Sequence, residues 1–175
     1  MKSKLVPTAI ALVILGIAIA FLSPWSQNAE AAQVGEEAPD FTLKTLDGDE
    51  VSLDDITKAG GGYIVFFTTT CPHCIKEIPH LNELKAEAGK QDKPLPIYGV
   101  NPGQPERSVK RFVKQKKVAY PVLYDGDQQV AKDYKIVGVP TIVGIGEDGK
   151  IKYYAHRMVK DLETAREVLE KGGEG

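Results

Sequence analysis

The sequence has little of what several classes of protein depend on. It contains two cysteines and three histidines among 175 residues, and no second Cys-x-x-Cys pair is present to complete the four ligands of a structural zinc site. Lysine and arginine are scattered and the net charge is −2, so no basic stripe indicates nucleic-acid binding. What remains is an ordinary globular composition, 42% hydrophobic and 26% charged, which suffices for one well-packed domain and is short for two.

The first 33 residues differ in composition from the rest. Lys2 and Lys4 precede an uncharged apolar span at residues 5–22. As a helix that rises about 1.5 Å per residue, this span would be about 27 Å long, close to the roughly 30 Å hydrocarbon core of a bilayer. We therefore predict a signal-anchor segment and tether over residues 1–33 and one domain over residues 34–175.

A cleaved signal peptide is the alternative interpretation of this segment. Ala29-Glu30-Ala31 fits the small-x-small pattern of a cleavage site. In both interpretations the lysines remain in the cytoplasm and the domain lies on the other side of the membrane, either anchored to it or secreted. That compartment is oxidising, so a cysteine pair there can persist as a disulfide.

Hydrophobic periodicity predicts that strands alternate with helices along the domain. Residues 63–68, "YIVFFT", form an almost continuous apolar run, which is typical of a central strand buried on both faces. The other predicted elements are a hairpin over 40–53 with its turn at Asp47-Gly48, a helix from His73 that contains Pro79, strands over 96–101 and 120–125, helices over 105–117 and 128–136, a hairpin over 141–157, and a final helix from Asp161. This order predicts a mainly parallel sheet covered on both faces, with antiparallel edge strands in the final hairpin.

The two cysteines lie three positions apart in "TTCPHC", residues 69–74, directly after the buried strand. As a structural disulfide the pair would be poorly placed, because a ring of four residues constrains the unfolded chain little. The start of a helix, in contrast, favours an anion through its free N–H groups and its dipole, and the thiolate is the reactive form of cysteine. We predict a redox-active disulfide that needs no further cofactor, with Cys71 as the attacking thiol and Cys74 as the resolving thiol.

The helix dipole is a limited source of activation for Cys71. It lowers the pKa of this thiol by about one unit at best. Any further lowering would come from the N–H groups of His73 and Cys74 or from the imidazole of His73, which we therefore take as a residue that tunes the redox pair.

A resemblance to a known family adds to these predictions. Cys-Pro-His-Cys after an apolar strand, Pro79 beyond it, and "VGVPT" at 137–141 resemble the thioredoxin fold. Over roughly residues 35–172, the chain is similar to the TlpA/ResA-like thiol-disulfide oxidoreductases. The resemblance implies an α/β thioredoxin fold, with a central mixed sheet flanked by helices and an N-terminal β-hairpin extension. It also implies a cis peptide bond before Pro140, in a groove where Val139 offers its backbone to an extended partner peptide.

Three positions depart from the thioredoxin pattern. Thr70 stands where thioredoxin-like sites commonly carry Trp, so the lip of the groove is smaller and more polar. Val65 stands where thioredoxin has a buried Asp, so no carboxylate there can take the proton of Cys74. Glu77 matches the position of a glutamate in ResA-like proteins and lies three residues beyond Cys74 on the same helical face. The resemblance favours Glu77 as the proton acceptor, and a solvated helix glutamate is the alternative.

The dipeptide between the cysteines bears on the direction of electron flow. Pro72-His73, together with Val139 before the loop proline, resembles the strongly oxidising DsbA, whereas relatives in cytochrome c maturation are reductants. A dipeptide that stabilises the reduced form makes the protein a stronger oxidant. The sequence leaves this direction open. His80 and His156 are predicted to be surface or packing residues.

The resemblance implies an extracytoplasmic enzyme that exchanges disulfides with partner proteins. One implied task is reduction of the haem-binding cysteines of apocytochrome c; general disulfide exchange is the alternative. The implied membrane partner is an electron donor for a reductant, or an electron acceptor for an oxidant. A thiol peroxidase is a rival, but its Pro-x-x-x-Thr-x-x-Cys pattern is half present, with Thr68 in place and Ile64 instead of proline. A Sco-type copper chaperone is another, but its cysteines are separated by three residues and these by two.

Overall fold

The computed structural model describes residues 33–173. The predicted apolar span at 5–22 and the predicted cleavage site at 29–31 lie outside the described residues. Within 33–173, none of the helices is both long enough and apolar enough to cross a bilayer.

Seven strands in this range form one sheet, in the spatial order β2-β1-β5-β4-β3-β6-β7. The strands are β1 (Thr42–Thr45), β2 (Glu50–Ser52), β3 (Gly62–Phe66), β4 (Ile97–Pro102), β5 (Val122–Asp125), β6 (Thr141–Ile145) and β7 (Ile151–Ala155). β4 is parallel to β3 and to β5, and the other four strand pairs are antiparallel. The mixed sheet is confirmed. The mainly parallel sheet predicted from the order of elements is wrong, because that order does not specify the direction in which β6 runs beside β3 or β1 beside β5.

Five helices occur in the described part of the chain: α1 (Leu53–Lys58), α2 (Pro72–Ala88), α3 (Glu106–Lys116), α4 (Gln129–Asp133) and α5 (Leu162–Lys171). The sequence predicts all of them except α1. This helix begins with a capping box, in which Asp55 N–H donates to Ser52 Oγ over 3.3 Å and Ser52 N–H donates to Asp55 Oδ2 over 2.8 Å. Six residues carry too little periodicity for recognition, so the caps were the only available signal.

The helices cover the two faces of the sheet unequally. The side that we call the cysteine face includes both cysteines and is covered by α2, α3 and α5. The other side, the rear face, is covered by the shorter α1 and α4. β3 supplies Tyr63 and Val65 to the cysteine face and Ile64 and Phe66 to the rear face, each at most 2% exposed. Burial on both faces explains why this strand is a continuous apolar run.

Candidate active site

Cys71 and Cys74 lie where β3 passes into α2. Cys71 is the residue that caps the N-terminus of α2, and Pro72 occupies the first helical position, where its missing N–H has no consequence. The two cysteines form a disulfide with 5.3 Å between their Cα atoms. Cys71 is 8% exposed and Cys74 is 4% exposed. Cys74 N–H lies 3.1 Å from Cys71 Sγ, so one of the two backbone donors expected to support a thiolate on Cys71 is in place.

The loop before β6 lies against this disulfide. The Val139–Pro140 peptide bond is cis, which confirms the prediction. The carbonyl oxygen of Val139 is 3.5 Å from Cys71 Sγ. The disulfide carries no proton at this sulfur, whereas a neutral Cys71 thiol could donate to the carbonyl after reduction. Val139 is half-buried and packs against the clusters of both faces.

Glu77 lies one turn beyond Cys74 and is half-buried. Its Oε1 accepts a hydrogen bond of 2.9 Å from the backbone N–H of Met158. Burial raises the pKa of Tyr120 and of Tyr153, and the charge of Glu77 raises both further. This glutamate is therefore an anchored group beside two neutral phenols, and not a freely solvated helix residue.

A hydrogen-bonded network that the sequence did not reveal supports the loop before Cys71. Asn101, fully buried at the end of β4, donates from Nδ2 to the carbonyl of Phe67 over 3.0 Å and to Gln104 Oε1 over 2.9 Å. Gln104 in turn accepts from Thr69 N–H over 2.8 Å and donates to Thr69 Oγ1 over 3.0 Å. A polar residue at the carboxyl end of an apolar strand was the available signal, since ligands and active sites favour that edge of parallel strands.

A cleft opens beside the cis-proline loop. It has a volume of about 490 Å³ and is lined by His73, Lys76, Glu77, Val139, Pro140, His156 and Arg157. Thr70, Pro72 and His73 are exposed. A larger groove of about 760 Å³ lies between the N-terminal hairpin and α3, and it includes none of the predicted site residues.

The two histidines outside the motif differ in their surroundings. His80 lies with Nε2 2.7 Å from the carbonyl oxygen of Val159, in agreement with a packing role. His156 is exposed, and its Nδ1 is 2.8 Å from the carbonyl oxygen of Pro140. The sequence predicts a surface or packing residue at His156 but does not reveal this contact with the cis-proline loop, which is 16 residues away in the chain.

The described residues contain no cluster of three or more His, Cys, Asp or Glu side chains arranged to hold a metal ion. The groups that the structure brings together at the site are the cysteine pair, the cis-proline loop and Glu77. A thiolate at Cys71 can attack a disulfide sulfur, and the adjacent Cys74 can close the internal disulfide again.

Comparison with known proteins gives a consistent result. Residues 34–154 match the model of the AhpC/TSA family. The chain is 32% identical over 152 residues to the thiol-disulfide oxidoreductase ResA of Bacillus cereus (strain ATCC 10987), a match that covers 86% of each chain. It is 34% identical over 146 residues to ResA of Geobacillus kaustophilus, covering 83% of this chain and 82% of that one.

Solved structures agree with these matches. The thioredoxin domain of a thiol-disulfide oxidoreductase from Bacteroides vulgatus superposes with a TM-score of 0.69 at 28% identity, covering 79% of this chain and 99% of that one. StoA from Bacillus subtilis superposes with a TM-score of 0.62 at 26% identity, covering 75% of this chain and 96% of that one. The thioredoxin fold is thus shown by structure as well as by sequence.

Proposed function

Since the chain belongs to the AhpC/TSA family and is a thiol-disulfide oxidoreductase of the ResA-like group, we propose that it exchanges disulfides with partner proteins outside the cytoplasm through Cys71 and Cys74. The observation that carries the proposal is the disulfide at the start of α2, beside the cis-proline loop. A structural disulfide that closes so short a ring would stabilise the fold little, whereas disulfide exchange needs this junction of strand, helix and groove.

In the proposed reaction the Cys71 thiolate attacks one sulfur of the partner's disulfide. That disulfide breaks, a mixed disulfide with Cys71 forms, and the first partner thiolate leaves. The Cys74 thiolate then attacks Cys71 Sγ, closes the internal disulfide and releases the second partner thiolate. The partner gains two electrons and the protein loses two, so a donor must reduce the protein again. The N–H of Cys74, 3.1 Å from Cys71 Sγ, stabilises the attacking thiolate.

Glu77 is the proposed proton acceptor for Cys74. Cys74 must lose its proton before it attacks, and it is almost fully buried among apolar side chains. Glu77 is the carboxylate one helical turn away, and the bond from Met158 N–H holds one of its oxygens in place. The other oxygen is the one available to the thiol proton.

The proposed task is reduction of the haem-binding cysteines of apocytochrome c, with electrons supplied by a membrane donor. Its support is the resemblance to ResA-like proteins over most of the chain. Pro72-His73 is the feature that opposes it. The reduction potential measured against glutathione decides the direction: a value near that of thioredoxin, about −270 mV, supports a reductant, and one near −120 mV supports an oxidant.

The proposed location is the outer side of the cell membrane, with residues 5–22 as a single-pass anchor. Support comes from the length of the apolar span and from the two lysines before it. Protease added to intact spheroplasts should digest the domain, and the mass of the membrane-bound chain should include residues 1–33. A shortened chain in the soluble fraction would instead indicate secretion after cleavage.

A trapping experiment tests the assignment of the two sulfurs. Cys74→Ser should accumulate mixed disulfides with partner proteins through Cys71, because the resolving thiol is absent. Cys71→Ser is the matched control and should trap none. Adducts that form through Cys74 in the control would show that the roles are reversed.

A second experiment tests Glu77. Glu77→Gln should slow resolution of the mixed disulfide at neutral pH by about a hundredfold, at the lower end of what proton transfer contributes. Glu83→Gln removes the same charge from an exposed position on α2 and should leave the rate unchanged. Equal rates in the wild type and Glu77→Gln would remove Glu77 from the mechanism.

The rival functions have direct tests. Peroxide consumption with a dithiol reductant should be far slower than disulfide exchange, and comparable turnover would favour a peroxidase. Protein purified in the reduced state should contain negligible copper. Stoichiometric copper would instead favour the chaperone.

A further inference from the structure

The cleft beside the disulfide bears two positive charges, those of Lys76 and Arg157, that the exchange reaction itself does not use. We infer that this cleft selects partner segments that carry an acidic side chain within two residues of the reacting cysteine. The inference rests on the proposed exchange with partner proteins and specifies which partners react fastest.

Cationic and titratable basic side chains dominate the cleft. Lys76 extends from α2 and Arg157 from the segment after β7, and both are exposed. His73 and His156 add two imidazoles. Glu77 is the one acidic side chain among the lining residues, so the cleft carries an excess of positive charge.

Neither cation is neutralised within the described residues. Four lysines elsewhere pair with an acidic residue four positions away, namely Lys58, Lys110, Lys152 and Lys171. Lys76 has Pro72 and His80 at those positions, so its own helix offers no partner. Between residues 33 and 173, neither Lys76 nor Arg157 forms an ion pair.

The carboxylate of Glu77 is already engaged. Its Oε1 accepts from the backbone N–H of Met158 over 2.9 Å, which draws it towards the chain after β7. Glu77 forms no ion pair with Lys76 or Arg157 in the described part of the chain, so both cations can pair with a ligand that enters the cleft.

The geometry of the cis-proline loop brings a partner's neighbouring residues over this charge. The carbonyl of Val139 is 3.5 Å from Cys71 Sγ, and both Val139 and Pro140 line the cleft. His156 is held at the carbonyl of Pro140, so the basic wall and the loop form one surface. An extended segment advances about 3.3 Å per residue. A side chain one or two residues from a cysteine bound at Cys71 thus reaches the cleft.

Charge-matched peptides test the inference on the full-length reduced protein in a neutral detergent. Three cyclic peptides, each closed by one disulfide, carry Asp, Asn or Lys two residues before the first cysteine and are otherwise identical. Exchange is stopped with acid and quantified by chromatography. One exposed ion pair changes a rate by about two- to fivefold. The Asp peptide should therefore react about tenfold faster than the Lys peptide at low ionic strength, and the ratio should approach one at about 0.5 M salt.

Variants assign the preference to the cleft. Lys76→Gln and Arg157→Gln should each reduce the Asp-to-Lys rate ratio by about two- to fivefold, and the double variant should bring it close to one. Lys90→Gln removes the same charge from an exposed position two residues beyond the end of α2. About 18 Å of helix separates Lys76 from that end, so this variant should leave the ratio unchanged.

The outcomes separate this inference from the function on which it rests. Equal rates with all three peptides would overturn the charge preference and leave disulfide exchange intact. A double variant that slows all three peptides equally would overturn it too, because the cations would then act on the Cys71 thiolate and not on the partner. Failure of the neutral Asn peptide to exchange would overturn the proposed function, and the inference with it.

Discussion

The two faces of the sheet both bury an apolar cluster, and only one of them contains the cysteine pair. The cysteine face is covered by helices of 17, 11 and 10 residues, and the rear face by helices of six and five residues. Both faces bury aromatic and branched side chains almost completely. On the rear face they only pack, whereas on the cysteine face the same kind of core encloses a disulfide.

The difference between the faces lies at the ends of the elements and not in their cores. On the cysteine face, a 17-residue helix begins shortly after β3 ends, and one of its first N–H groups, that of Cys74, is directed at Cys71 Sγ. On the rear face, α4 begins at the buried carboxylate of Asp125, which accepts from the N–H groups of Val130 and Ala131 over 3.2 and 2.9 Å. The N-terminus of α4 is thus capped by a carboxylate, and the N-terminus of α2 is capped by the sulfur of Cys71.

The largest expected difference between the faces is in activity. Cys71→Ser should reduce exchange to the uncatalysed background. Tyr134→Phe on the rear face removes a 2.8 Å hydrogen bond to the carbonyl of Pro39 and should lower the free energy of unfolding by about 1 kcal/mol with no change in rate. Exchange kinetics and urea denaturation measure the two effects. A lower exchange rate in Tyr134→Phe than in the wild type would show that the rear face contributes to the reaction.

Core truncation tests whether the faces are equal in stability. Leu81→Ala on α2 and Ile56→Ala on α1 each remove a side chain that is at most 1% exposed. Each should lower the free energy of unfolding by about 2–5 kcal/mol. Only Leu81→Ala should also slow exchange per folded molecule, because Leu81 packs the helix that holds both cysteines. Equal rates in the two variants would show that the position of α2 does not depend on this contact.

Removal of the hydrogen-bonded network beside the loop before Cys71 should have a smaller effect. Asn101→Ala leaves the carbonyl of Phe67 without its side-chain donor and should lower the free energy of unfolding by about 1–3 kcal/mol. Exchange should slow several-fold because the loop at Thr69 loses its support. Asn82→Ala is the control: its amide also bonds two backbone groups, at Lys117 and Ala119, but away from the cysteines. A similar loss of rate in both variants would contradict the role of Asn101.

At alkaline pH, ionisation of buried tyrosines on both faces should destabilise the protein. Burial raises the pKa of Tyr63 on the cysteine face and of Tyr134 on the rear face. Below about pH 10, the pKa of an unfolded tyrosine, both phenols are neutral and their full contribution to stability is present. As the pH rises from there towards the higher pKa of the folded state, the free energy of unfolding falls by up to about 1.4 kcal/mol per pH unit for each tyrosine. Urea denaturation at several pH values should show this decline, and Tyr63→Phe and Tyr134→Phe should each reduce its slope. At neutral pH, Tyr63→Phe should lower the free energy of unfolding by only about 1 kcal/mol, because it removes the 2.8 Å hydrogen bond from the Tyr63 hydroxyl to the carbonyl of Ala165. An unchanged slope would contradict the assignment.

Local pattern was enough to predict most elements of the sheet and its helices. β3 is apolar throughout because both of its sides are buried, and α2 is recognisable even with Pro79 inside it. The direction of pairing was not predictable in this way. β6 lies antiparallel to β3, from Phe66 opposite Thr141 to Gly62 opposite Ile145, and nothing in the composition of either strand distinguishes this from a parallel pair.

The candidate site divides in the same way. Cys71, Cys74 and Pro140 lie in short motifs that the sequence displays directly. Asn101 and His156 are separated from them by many residues and reach the site only because β4 pairs with β3 and β7 pairs with β6. Contacts made through strand pairing have no local signature, so residues that support a site are harder to find than those that react in it.

The position of Cys71 against the cis-proline loop has a consequence for kinetics. The proposed reaction passes through this sulfur in both directions, since the electron donor must open the same disulfide that the partner closes. The electron donor and the electron acceptor therefore bind alternately at Cys71 and cannot be bound at the same time. Initial rates measured at several fixed donor concentrations should give parallel lines in double-reciprocal plots, and excess of either protein should inhibit the other by competition.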